Sequence, residues 1–189
     1  MGDAKVGEIL VDHPKIALVS ATGSTRMGKA IAPKVAGRFG RLLLELGGNN
    51  GMILTSSADL NLAMRAILFS AVGTAGQRCT SLRRLIVDQA MMPTVLSKLK
   101  SLYQQIPVGN PLTDKVLIGP LIDQQAFQGM QRALEQAKKD GGKVWGGERL
   151  YEKEYPQAYY VKPALVEMPK QTDIVRHETF APILYILPY

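Results

Sequence analysis

The sequence is poor in the residues that staple, ligate or span. It has one cysteine and two histidines among 189 residues. A lone cysteine excludes an intramolecular disulfide and suits a reducing, cytoplasmic compartment. His13 and His177 stand far apart and no cysteine pair exists, so no metal site is expected. No apolar run approaches the roughly 20 residues of a membrane-spanning helix, so no membrane partner is expected. The first apolar stretch, residues 16–21, is too short for a signal peptide and follows charges. Met1-Gly2 lacks the Ser or Thr at position six that a myristoylation site wants. Internal repeats and low-complexity segments are missing too.

What is present reads as globular. Hydrophobic residues make up 46% and charged residues 21%, a balance typical of a folded chain long enough to bury one good core. The formal net charge of +7 raises the question of nucleic acid. The basic residues Lys98, Lys100, Lys138, Lys139, Lys143 and Lys162 are scattered, with no interleaved aromatic stripe. Solvated helix faces, or a phosphate-bearing cofactor, account for them, and nucleic acid is not an expected partner.

Helical and strand patterns alternate along the chain, which predicts an α/β fold with a mostly parallel sheet flanked by helices. Residues 3–12 pattern as a short helix stopped by His13-Pro14, and residues 16–20 as a buried strand. The turn Thr22-Gly23-Ser24-Thr25-Arg26-Met27-Gly28 leads into a helical pattern over 29–39. Strand, glycine turn and helix is how α/β proteins offer N–H groups and a helix dipole to a phosphate. An ordinary turn with Ser24 or Thr25 as N-cap fits equally well. A second buried strand is expected over 41–46 and a third over 51–55, before an apolar helix over 60–72 opened by Ser57-Ala58-Asp59. Beyond residue 80 the pattern gives strands at 85–87, 143–145, 159–166 (broken by Pro163) and 183–187, and helices at 91–102 and 124–139. Residues 107–120 read as a Gly/Pro-rich ledge, and the stretch up to Pro156 as a charged surface loop.

Two residues stand out chemically. Cys79 follows the 60–72 helix and a small flexible turn, Gly73-Thr74-Ala75-Gly76, where backbone N–H groups can point at whatever a thiol attacks. Arg78 beside it would favour the reactive thiolate. The alternative is a buried cysteine acting as a small hydrophobe. Glu45 sits inside the apolar run Leu42-Leu43-Leu44-Glu45-Leu46. Desolvation there would raise its pKa toward neutrality and suit a general base; the alternative is an edge-strand acid facing water.

Four segments occur in order: Thr22-Gly23-Ser24-Thr25-x-x-Gly28, Leu44-Glu45-Leu46-Gly47-Gly48-Asn49, Gly76-Gln77-Arg78-Cys79 and Glu178-Thr179-Phe180-Ala181-Pro182. Together they resemble the aldehyde dehydrogenase superfamily, and the 34 positions between Glu45 and Cys79 match the interval expected of that family's base and nucleophile. The Gly-Gly-Asn-Asn sequence, and Ala181 where most relatives carry Gly, look most like the antiquitin branch, which acts on the semialdehyde of 2-aminoadipate. The resemblance runs end to end yet covers well under half of a family chain. It implies that residues 1–48 are the C-terminal part of a Rossmann-like dinucleotide-binding domain and 49–189 most of the catalytic domain.

The resemblance further implies an NAD-dependent oxidation, with NADP not excluded, of a small-molecule aldehyde by a homo-oligomer of full-length chains. Cys79 would form a thiohemiacetal and then a thioester, and Glu45 would activate water to hydrolyse it. Gly23 and Ser24 would meet cofactor phosphate, Leu46 and Gly47 would border the nicotinamide, and Glu178 and Phe180 would hold its ribose. Arg78 would either grip a substrate carboxylate through a bidentate fork or serve structure and thiolate tuning. Alone, the 189-residue chain is expected to turn over no aldehyde. Two other readings stay open: a non-catalytic fragment or assembly partner without a complete cofactor site, and a reductive acyl-reductase relative, against which Glu45 argues.

Overall fold

The computed structural model describes residues 2–113 and 115–189. Met1 of the expected myristoylation test and Asp114 of the expected ledge lie outside the described residues. The chain divides into two compact units, residues 1–48 and 49–189.

The first unit is a single βαβ crossover preceded by a helix. Helix α1 (Ala4–Asp12) is capped by Asp3, whose carboxylate accepts from Lys5 N and Val6 N. Strand β1 (Leu18–Thr22) and strand β2 (Arg41–Glu45) pair in parallel, Leu18 opposite Arg41 and Thr22 opposite Glu45. Helix α2 (Thr25–Gly37) makes the crossover between them. Val11, Ile31 and Val35 form the core, with Val19, Ala21, Leu42 and Leu44 against it. Only one face of the strand pair is covered. Leu42 and Leu44 turn toward the helices, while Arg41, Leu43 and Glu45 are exposed. The buried strand expected over 41–46 is therefore half solvated. A run of leucines does not distinguish two covered faces from one, and here alternation decides which residues reach the core.

The second unit is built on a five-stranded sheet. In chain order its elements are β3 (Asn50–Leu54), α3 (Leu60–Val72), β4 (Leu82–Val87), α4 (Met92–Gln104), α5 (Gln124–Lys139), β5 (Lys143–Trp145), β6 (Arg149–Leu150), β7 (Tyr160–Val161), β8 (Ala164–Glu167), α6 (Asp173–Arg176) and β9 (Ile183–Pro188). The sheet order is β3-β4-β9-β8-β5, with β6 and β7 forming a separate pair. Neighbours are parallel except β5, which runs antiparallel to β8. The central strand β9 is buried almost throughout, as its unbroken Ile-Leu-Tyr-Ile-Leu run requires of a strand covered on both faces. Leu85, Val95, Leu99, Met130 and Leu184 are fully buried around it; each such side chain contributes roughly 1.5–3 kcal/mol of hydrophobic stabilisation.

The two ends of this unit that matter for chemistry lie on the loops before β4 and before β9. The first begins with a short 3-10 turn, Gly73–Gly76, in which Thr74 and Ala75 both have φ of 53° and Gly76 has φ of 65°. The expected loose turn is instead a packed one, with Ala75 only 1% exposed. Left-handed backbone at non-glycine residues costs of the order of 1–3 kcal/mol each and persists only where the surroundings hold it.

Candidate active site

In the first unit the turn after β1 gathers four of the residues singled out in the sequence. The Gly23 N–H donates to the Glu45 carbonyl at 2.9 Å, extending the parallel ladder by one bond. Ser24 caps α2, its Oγ accepting from Met27 N at 3.1 Å. A side chain at Gly23 would meet the Met27 sulfur at 2.8 Å, and one at Gly28 would meet Leu46 Cδ1 at 2.7 Å. The glycines thus let Met27 fold over the turn and Leu46 close on the helix. Glu45 itself is exposed, so the burial expected of this carboxylate is not found and the water-facing alternative holds. Gly47 is exposed beyond it. An apolar cavity of about 570 Å³ opens beside this turn, lined by Leu10, Ala21, Met27 and Ile31 with Arg26 at its polar side.

In the second unit Cys79 is exposed, which removes the alternative of a buried structural thiol. Its carbonyl accepts from Asn50 Nδ2 at 2.7 Å, and the same amide donates to the Ser81 carbonyl at 2.9 Å. Asn50 begins β3, so the edge of the sheet holds the cysteine loop from one side. Gln77 holds it from another: Nε2 donates to the carbonyls of Thr74 and Pro120, and Oε1 accepts from Ile122 N at 2.9 Å. The Cys79 N–H has no hydrogen-bond partner among the described residues.

Arg78 is half-buried, with its guanidinium 5.4 Å from the centre of the Phe69 ring on α3 and filling the space a side chain at Gly73 would need. A second arginine holds this loop, Arg83 on β4. Arg83 is 2% exposed. Burial lowers its pKa from the ordinary guanidinium value, and the Glu178 carboxylate, its hydrogen bond and Cys79 all oppose that shift. Nη1 donates to the Gly76 carbonyl at 2.8 Å and the Ala181 carbonyl at 3.1 Å, and Nη2 to the Arg78 carbonyl at 3.1 Å. Nη2 also lies 3.5 Å from Glu178 Oε1, and the guanidinium stands 5.4 Å from the Phe180 ring centre. The cysteine loop and the Glu178 loop, about a hundred residues apart in sequence, are thereby joined. Sequence reasoning passed over Arg83; a cation between leucines in a strand is read as an exposed edge unless the carbonyls that surround it are known.

Glu178 and Phe180 line one wall of a groove of about 660 Å³ whose other wall is α5, with Asp123, Ala126 and Arg132. Among the described residues no group of three or more His, Cys, Asp or Glu could hold a metal ion, and no helix is long and apolar enough to cross a membrane.

A βαβ unit with a glycine turn, and a mostly parallel sheet presenting an exposed thiol beside an arginine-held acid, define the chain's class. The chain belongs to the aldehyde dehydrogenase family, whose model matches residues 1–189. Among curated relatives, alpha-aminoadipic semialdehyde dehydrogenase of Mus musculus is 45% identical over 190 residues, covering 100% of this chain and 34% of its own length. A putative aldehyde dehydrogenase family 7 member A1 homolog of Dictyostelium discoideum is 43% identical over 185 residues, covering 97% of this chain and 36% of its own. The chain thus spans about a third of the length of these relatives. In solved structures, betaine aldehyde dehydrogenase of Staphylococcus aureus in complex with NAD+ superposes with a TM-score of 0.94 at 26% identity, over 100% of this chain and 38% of that one. Lactaldehyde dehydrogenase of Escherichia coli gives 0.90 at 32% identity, over 97% and 38%.

Proposed function

We propose that this chain carries the nucleophile and the general base of an aldehyde dehydrogenase that oxidises a carboxylate-bearing semialdehyde with NAD. The observation that carries the reading is an exposed thiol three residues after a strained turn, in a loop that Arg83 locks to the one bearing Glu178. Residues 1–48 are the C-terminal part of the dinucleotide-binding domain and residues 49–189 most of the catalytic domain.

The residues present fit a dinucleotide. The first turn of α2, capped by the small Ser24 and flanked by Arg26, offers amides and a cation to phosphate, and an apolar cavity adjoins it. Gly23 keeps that approach open, and Leu46 and Gly47 follow β2 toward the nicotinamide. Glu178 and Phe180, on a groove wall, would hold the ribose between a carboxylate and a ring. The bound cofactor supplies the hydride acceptor.

Cys79 Sγ adds to the aldehyde carbon, forming the C–S bond as the carbonyl electrons pass to oxygen. The Cys79 N–H, which has no partner among the described residues, donates to that oxyanion; one such donor is worth about 2.7–4 kcal/mol of barrier. Oxidation leaves a thioester. Glu45 removes a proton from water, the hydroxide attacks the acyl carbon, and the C–S bond breaks to return the thiolate and release the carboxylate product. An exposed Glu45 reaches solvent water directly. Arg78, the residue immediately before the nucleophile, selects substrates that carry their own carboxylate.

The test uses mouse alpha-aminoadipic semialdehyde dehydrogenase in which these 189 residues replace the matching third. Cys79→Ala is expected to abolish NADH formation, Glu45→Gln to let acyl-enzyme accumulate, and Arg78→Ala to erase the preference for carboxylate-bearing over neutral aldehydes. Normal thioester hydrolysis in Glu45→Gln would remove Glu45 from the role of base, and full activity in Cys79→Ala would end the reading.

A further inference from the structure

The geometry points to Arg83 as a positioning residue that fixes the nucleophile turn and the Glu178 loop as one body, so that the thiol and the ribose-holding acid keep a constant register. It rests on the roles given above to Cys79 and Glu178. A buried guanidinium in a strand is costly unless its donors are met. Here Nη1 and Nη2, though not Nε, are met by main-chain carbonyls from both loops rather than by side chains that could move away: Gly76 and Arg78 on one, Ala181 on the other. The Glu178 carboxylate then neutralises the charge at 3.5 Å.

The turn being held is one that would not keep its shape unaided. Thr74 and Ala75 are left-handed without being glycine, and Gly76 stands against the Ala181 carbonyl. Releasing the Gly76 and Arg78 carbonyls frees the backbone that follows that strain. The charged group facing the Arg83 guanidinium is Glu178, at 3.5 Å. Its neighbour Arg84 turns elsewhere, to the Asn49 carbonyl and Gln171, and Arg78 meets the cluster through its carbonyl while its own guanidinium lies over Phe69. Arg83 therefore does two separable things: its fork ties two loops, and its charge meets the Glu178 carboxylate. Lysine preserves the second and cannot reproduce the first.

The coupling is read on the 189-residue chain without aldehyde or cofactor, by amide exchange in residues 73–80 and 177–182. Arg83→Met is expected to raise exchange in both loops together, leaving β8 and β9 protected. Arg83→Lys, which keeps the charge beside Glu178 but not the fork, should loosen both loops to the same degree. Loosening of one loop alone, or of neither, overturns the inference. Should Arg83→Met not fold, exchange in Arg83→Lys decides between the same outcomes. These readouts stand apart from turnover, so a chimera still active with Cys79→Ala would sink the proposed function while leaving the loop coupling measured.

Discussion

A side chain at Gly76 would stand 2.4 Å from the carbonyl oxygen of Ala181. The cysteine loop and the loop before β9 therefore meet backbone to backbone, with no room for a methyl group between them. Gly76 also has φ of 65°, where an L side chain is strained even in open space.

Gly76→Ala combines both penalties. We expect it to lower unfolding free energy by roughly 1–3 kcal/mol, measured as a shift of the urea midpoint at unchanged slope. A midpoint equal to wild type would mean that the two loops separate freely.

At Ser24 two roles can be told apart. Ser24→Ala removes the bond to Met27 N and should cost about 1 kcal/mol of stability. Ser24→Asp keeps an N-cap and should hold its thermal midpoint. It also puts a negative charge where the proposed phosphate would lie, so titration of the chimera with NAD should show weakened binding. Affinity unchanged in Ser24→Asp would confine Ser24 to capping.

Alkaline stability follows from two phenols beneath the sheet. Burial pushes Tyr185 up to about 12 against a weak opposing pull from Thr179, and pushes Tyr103 up as well. In the unfolded chain both ionise near pH 10, so above that pH the unfolded state binds fewer protons than the folded one. Stability is then fully present below pH 10 and falls as pH rises toward 12, by at most about 1.4 kcal/mol per pH unit for each tyrosine. Urea midpoints between pH 8 and pH 11.5 should show that decline, reduced in Tyr185→Phe; a flat profile would contradict it.

Much of the fold was legible because local signals agreed with the tertiary outcome. Helix α5 occupies the predicted residues because Asp123 caps it and Gly141 and Gly142 stop its periodic pattern. Strand β1 begins two residues later than its apolar run, because its ladder starts only where Arg41 comes opposite Leu18. Strand β6 was hidden in a charged stretch; two residues become a strand only through pairing with Tyr160 and Val161. The site divides in the same way. Cys79 was conspicuous as a lone thiol in a motif, but Arg83 is defined by carbonyls up to 98 positions away, a relation absent from any local window. Glu45 shows the opposite error: neighbouring leucines suggested burial, while the side of β2 it shares with Leu43 is open.

Gln77, donating to the Pro120 carbonyl and accepting from Ile122 N at the far end of the 107–122 segment, sets limits on how this chain can be re-engineered or diverge. The segment is closed at its neck, Gly109 N donating to the Ile118 carbonyl and Leu117 N to the Pro107 carbonyl, and its tip at Leu112 is 92% exposed. Length changes at the tip are absorbed there. A single added residue between Pro120 and Ile122 would pull on Gln77 and hence on the cysteine two positions later, so insertions in descendants of this sequence should accumulate at the tip and avoid the neck.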